Sequence, residues 1–144
     1  MSIYVLDASA ILRFTDKEAG FNRVRDLLKR AAKGEIELLI SAVNWAEIVM
    51  LLHKRAGSAS GAGNLAANLS ALPISIIAVD QSAAEAAAAF KVSFKVPLAD
   101  AFAGSLALSQ STGTPQTQAT LVTADYDFKA VPSGTMKIEF LPAK

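Results

Sequence analysis

The stretch Ile3-Tyr4-Val5-Leu6-Asp7-Ala8-Ser9-Ala10 begins as a short apolar run and is closed by an acid, and its reading decides the fold. Unbroken apolarity over Ile3 to Leu6 fits a buried strand, and Ser9 offers a hydroxyl that could cap a following helix. A first βα unit results. Downstream, Phe21, Val24, Leu27, Leu28 and Ala31 recur at helical spacing among Arg23, Arg25, Asp26, Lys29 and Arg30, with Gly34 where such a helix stops. Glu37 to Ile40 predicts a second strand, Ser41 a second cap, and Ala42 to about Arg55 an almost continuously apolar helix.

The small residues Gly57 to Gly63 read as a surface turn before a short helix near Asn64 to Leu72, ended by Pro73. Ser75 to Val79 predicts a third strand. Ser82 with Glu85 forms a capping-box pattern opening an alanine-rich helix to about Phe94. Pro97 begins a helix through Leu108, and a polar loop from Ser109 to Gln118 leads to a fourth strand at Thr120 to Val122. Lys137 to Leu141 predicts a fifth strand. Strands alternating with helices imply a three-layer α/β sandwich, a mainly parallel sheet of four to five strands flanked by helices, in a single domain over residues 1–144.

Composition narrows the class. Hydrophobic residues make up 52% and charged residues 19% of the chain, a balance that folds rather than staying disordered. Its longest uncharged stretches are broken by Gly, Ser, Asn, Gln, Thr and Pro, so no membrane span is expected. Asp7 and Arg13 interrupt the only candidate signal-peptide core, which points to the cytoplasm. The absence of cysteine agrees with a reducing compartment and excludes thiolate metal sites and cysteine nucleophiles. A net charge of +1 neither demands nor forbids nucleic acid.

Parallel α/β sheets place ligands at the carboxyl edge of their strands, so acids there carry the most information. Asp7 directly follows the first strand and Asp125 lies three residues beyond Val122. Glu47 falls in the second turn of an apolar helix, and Asp100 in the first turn after Pro97 among small or apolar neighbours. Asp7 alone fits a helix cap equally well, and Asp100 alone fits the positive end of a helix dipole. Glu47 amid apolar residues needs a partner, because an unpaired buried carboxylate costs several kcal/mol or takes a proton. If all four converge, their repulsion requires cations, and oxygen ligands suit Mg2+ or Mn2+ better than zinc. Such a site polarises a phosphodiester and supplies a water to attack it.

Other features have competing readings. The cations Arg23, Arg25, Lys29, Arg30 and Lys33 fit either an RNA-backbone track or the solvated face of an amphipathic helix. Trp45 fits base stacking, core packing or a dimer contact, and His53 does not share a helix face with Glu47. A phosphotransferase using an aspartyl-phosphate at Asp7 would want an acid two residues on, where Ser9 stands. A noncatalytic module whose acidic pocket receives a basic peptide is the other alternative.

Four segments together resemble the PIN-domain family, particularly the VapC-type ribonuclease toxins of type II toxin-antitoxin systems. They are Val5-Leu6-Asp7-Ala8-Ser9-Ala10, Ser41-Ala42-Val43-Asn44-Trp45-Ala46-Glu47-Ile48, Pro97-Leu98-Ala99-Asp100-Ala101 and Leu121-Val122-Thr123-Ala124-Asp125. The resemblance implies that Asp7, Glu47, Asp100 and Asp125 hold the metal, with Ser9 and Thr123 orienting a carboxylate or water. Asp127 either joins the metal shell or faces solvent. The resemblance further implies an endoribonuclease leaving a 5′-phosphate and a 3′-hydroxyl, a homodimer, and a cognate antitoxin whose segment covers the acidic groove. The 109–118 loop is longer than the compact family version.

Overall fold

The computed structural model describes residues 1–111 and 118–144. Five strands form one sheet: β1 (Ser2–Leu6), β2 (Ile36–Ser41), β3 (Ser75–Ile77), β4 (Thr120–Thr123) and β5 (Lys137–Phe140), in the order β3-β2-β1-β4-β5. Every pairing is parallel. Among the described residues six α-helices cover the sheet: α1 (Ala8–Thr15), α2 (Phe21–Ala32), α3 (Ala42–Ala56), α4 (Ala59–Ser70), α5 (Gln81–Phe94) and α6 (Leu98–Ser109).

The central strands are apolar throughout because both faces of the sheet are covered. Leu6, Ile40 and Val122 point into a core shared with Ile11, Val24, Leu27 and Ile48 of α1, α2 and α3. Val5, Leu39 and Leu121 point the other way, toward Ala87 and Phe90 of α5 and Ala101, Ala103 and Ala107 of α6. Alternate residues of one strand thus serve two cores, which makes the molecule three layers deep. Small residues on α6 let it approach closely: a Cβ at Gly104 would stand 2.4 Å from Phe90 Cζ.

Several boundaries differ from the sequence expectation. Gly57 takes a left-handed φ of 68° and closes α3, but the chain from Ala59 onward is already helical, so only Gly57 and Ser58 form the turn. Ser58 caps α4 by accepting from Gly61 N–H, and fully buried Ala62 seats the helix, offsetting the poor helix propensity of Gly61 and Gly63. Asp80 rather than Ser82 caps α5, accepting from Ala83 N–H at 2.8 Å. Strand β3 ends at Ile77, two residues early. The expected 109–118 loop lies mostly outside the described residues.

Two arginines of the basic stripe on α2 are held in ion pairs. Arg23 holds Glu139 of β5 through Nε–Oε2 at 2.7 Å and Nη2–Oε1 at 3.0 Å, and Arg30 pairs with Glu35. Trp45 packs against the first core, as expected of a packing residue. Among the described residues no helix is long and apolar enough to cross a membrane.

Candidate functional site

Three central strands end side by side, and the segments leaving them bring the acids together. β1 delivers Asp7, β4 delivers Thr123 and then Asp125, and β2 passes through Ser41 into α3, which carries Asn44 and Glu47. Helix α6 starts over the same edge and presents Asp100 in its first turn. Asp7, Glu47, Asp100 and Asp125 line one cleft of about 230 Å3 together with Ser9 and Leu12.

Asp7, only 3% exposed, is held from three sides. Its Oδ1 accepts from Ser9 Oγ at 2.6 Å and from Ala10 N–H at 3.0 Å, and Thr123 Oγ1 donates to Oδ2. Asp7 itself therefore caps α1, and Ser9, expected as the cap, lies within the first turn and orients the acid. Ser9 Oγ in turn accepts from Ala124 N–H at 2.9 Å, and Thr123 Oγ1 accepts from Asp125 N–H at 2.9 Å. Both hydroxyl protons point at Asp7, so the 3.3 Å approach of the two oxygens carries none. Burial drives the Asp7 carboxyl up to about 6, against the lowering effect of its three donors.

Asp100 is buried, and its Oδ2 has no hydrogen-bond partner. Desolvation first, then the adjoining Asp125 carboxylate, with Asp7 and Asp127 adding repulsion, pushes it up to about 8. Carboxylate oxygens of Asp100, Asp125 and Asp127 lie within 4.8 Å of one another. Asp127 thus joins the cluster although exposed: Asp125 Oδ1 accepts from Asp127 N–H at 2.9 Å, opening a 3-10 helix over Tyr126–Ala130 that turns both acids to one side. Asp7 and Glu47 stand outside this tight trio, on the walls of the same cleft.

Glu47 is half-buried, and the partner it required is Asn44. Asn44 Nδ2 donates to Glu47 Oε2 at 3.2 Å and to Ala99 O at 3.1 Å, which ties α3 to the start of α6 just before Asp100. Sequence reasoning gave Asn44 no role. The signal was present: an amide inside an apolar run, three residues before the acid, shares its helix face.

All ionisable side chains of the cleft are carboxylates, so the donor set suits a hard divalent cation rather than zinc. The lone pairs of Asp100 Oδ2, buried without a donor, fit a cation better than they fit an empty cleft. Neutralisation by a cation would release the Asp100 proton and relieve the crowding.

The PIN domain family model matches residues 4–134 of this chain. Comparison with curated protein sequences gives no match. Among solved structures, VapBC2 from Rickettsia felis bound to a DNA fragment from its promoter is similar, with a TM-score of 0.67 at 18% identity, covering 97% of this chain and 99% of that one. DNA-bound VapBC from Salmonella typhimurium gives 0.66 at 18% identity over 97% and 98%. VapBC-5 from Mycobacterium tuberculosis gives 0.59 at 18% identity over 99% and 100%.

Proposed function

Because the chain belongs to the PIN-domain family, we propose that it is an Mg2+- or Mn2+-dependent endoribonuclease, the toxin of a toxin-antitoxin pair, with Asp7, Glu47, Asp100 and Asp125 as its metal-holding acids. The observation that carries this reading is the crowding of Asp100 against Asp125 and Asp127, with one buried oxygen lacking any partner. A fold does not keep such repulsion for stability, since an amide at one position would relieve it.

When bound, a divalent cation at these acids would polarise a phosphoryl oxygen and acidify water for attack on phosphorus. The residues supply the positioning. Ser9, Thr123 and the Ala10 N–H fix both oxygens of Asp7, so its carboxylate needs no reorganisation on binding. Asn44 fixes Glu47, and the Asp127 N–H fixes Asp125. Water oxygen bonds to phosphorus, the P–O3′ bond breaks, and the products are a 5′-phosphate and a 3′-hydroxyl. Asp127 is the accessory acid at the open side of the cleft.

The partners follow from the same chemistry. RNA is the substrate, and an antitoxin silences the enzyme by laying a cationic segment over the acids; the similar VapBC-5 from Mycobacterium tuberculosis is by name a member of a family of toxin-antitoxin systems. A homodimer in the cytoplasm completes the reading.

Hydrolysis of a panel of labelled structured and single-stranded RNAs tests it, with Mg2+, Mn2+ or chelator, in the wild type and in Asp7→Asn and Asp100→Asn. Cleavage that needs the metal and both acids is expected. No cleavage of any RNA, with no metal binding, would leave only a partner-binding role for the acid pocket.

A further inference from the structure

Beside the acid cleft lies a wider groove of about 430 Å3, and the two share Ser9, Leu12 and Asp125 as a common wall. The groove's other walls carry Arg13, Arg55 and Lys144 beside Asp16, Glu18 and Tyr126. Arg13, at the end of α1, is only 9% exposed. Its Nη1 donates to Ala19 O at 2.7 Å and to Pro142 O at 2.6 Å. Among the described residues no carboxylate lies within ion-pair distance of it, although five other ion pairs form on this molecule.

Burying a guanidinium without an anion is costly, and two carbonyls offset only part of that cost. Pinning the chain at Ala19 and Pro142 needs hydrogen-bond donors, not a charge. Arg55 lines the same groove, half exposed and held fork to fork by Asp16 at 2.9 and 3.2 Å, and Lys144 there pairs with Glu18 at 2.6 Å. The acid cleft suited to a cation and this groove meet at Ser9, Leu12 and Asp125, and among the described residues Arg13 is the one cation of the groove that no carboxylate pairs.

We propose that this groove binds the RNA backbone: Arg13 receives a phosphate of the strand flanking the one cut at the acids, and Arg55 contacts the same stretch from the rim. This rests on the nuclease reading. Bidentate guanidinium contacts suit phosphate oxygens. Strand polarity would then be set by which side of Asp125 the groove extends, so the charged groove positions the scissile bond as well as adding affinity.

The test is fluorescence anisotropy of a short labelled single-stranded RNA, with calcium replacing magnesium and the RNA recovered intact, for wild type, Arg13→Ala, Arg13→Lys and Arg55→Ala. Loss of affinity of about tenfold or more is expected for Arg13→Ala and Arg55→Ala. The salt dependence should become shallower by about 0.7 per lost phosphate contact, which a merely structural role would not produce. Manganese binding by the variants should stay as in the wild type. Arg13→Lys keeps the charge and should keep the salt slope; should Arg13→Ala fail to fold, Arg55→Ala decides. Unchanged affinity and salt slope in Arg55→Ala, and in Arg13→Ala where it folds, with the wild type cutting RNA normally, would overturn the groove assignment alone. A wild type that neither binds nor cuts RNA would overturn the nuclease reading with it.

Discussion

Replacing Asp100 by Asn should stabilise the metal-free protein, and by an amount that depends on pH. Asp100 sits at about 8 in the fold, far above an ordinary carboxylate, because of burial and then the neighbouring Asp125. Between the unfolded value and about 8 the native state holds a proton that the unfolded chain has lost, so stability falls as pH rises through that window. From about pH 5 to about pH 7.5 this costs the wild type about 3 kcal/mol, taking ~1.4 kcal/mol per pH step over the window. Asn fills the same volume, carries no charge, and can donate to Asp125. The advantage of the variant should therefore be about 3 kcal/mol larger at the higher pH, or roughly 10 °C in melting temperature for a chain of this length. Thermal unfolding followed by circular dichroism in chelator at the two pH values reads it directly. A variant less stable than wild type at pH 7.5, or a gain that is the same at both pH values, would refute the reasoning.

Three further outcomes follow from the same geometry. Magnesium should raise the wild-type melting temperature more at pH 8 than at pH 5, where protons compete for Asp7 and Asp100, and should do little for Asp100→Asn; calorimetric scans across magnesium concentration check this. Thr123→Val removes a donor to Asp7 and the acceptor for Asp125 N–H at a position that is 0% exposed, so it should cost about 1–3 kcal/mol in urea unfolding. It should also push the Asp7 carboxyl higher still, moving the acidic limb of the pH-rate profile upward. Gly104→Ala drives a methyl into Phe90, and should destabilise by about 1–3 kcal/mol while displacing α6 enough to weaken cleavage, as unfolding and rate measurements together would reveal.

The parts of this molecule that could be read from sequence are those fixed by local pattern. Val5-Leu6-Asp7 announces a buried strand delivering an acid to the sheet edge, and the Pro97 start puts Asp100 in the first turn of α6, because both follow from chain direction alone. Glu47 could be placed on an inward helix face, and its partner Asn44 follows from the three-residue spacing, but the bond from Asn44 to Ala99 O, 55 residues away, is a tertiary contact that spacing does not encode. The start of α4 was hidden for a related reason: Gly61 and Gly63 argue for a turn locally, and only the packing of Ala62 overrides them. Asp127 was ambiguous because a two-residue step puts side chains on different sides in a helix and on the same side in a strand. Asp125 is the extended cap before the 3-10 helix, with φ −95° and ψ 112°, and from there its carboxylate and that of Asp127 both come close to Asp100.

The most direct test of the central claim is a manganese-soaked crystal measured for anomalous scattering. A peak is expected in the cleft within ligand distance of Asp7, Asp100 and Asp125, absent in Asp100→Asn crystals treated identically. No peak there at saturating manganese, or a peak unaffected by the loss of the Asp100 carboxylate, would contradict it.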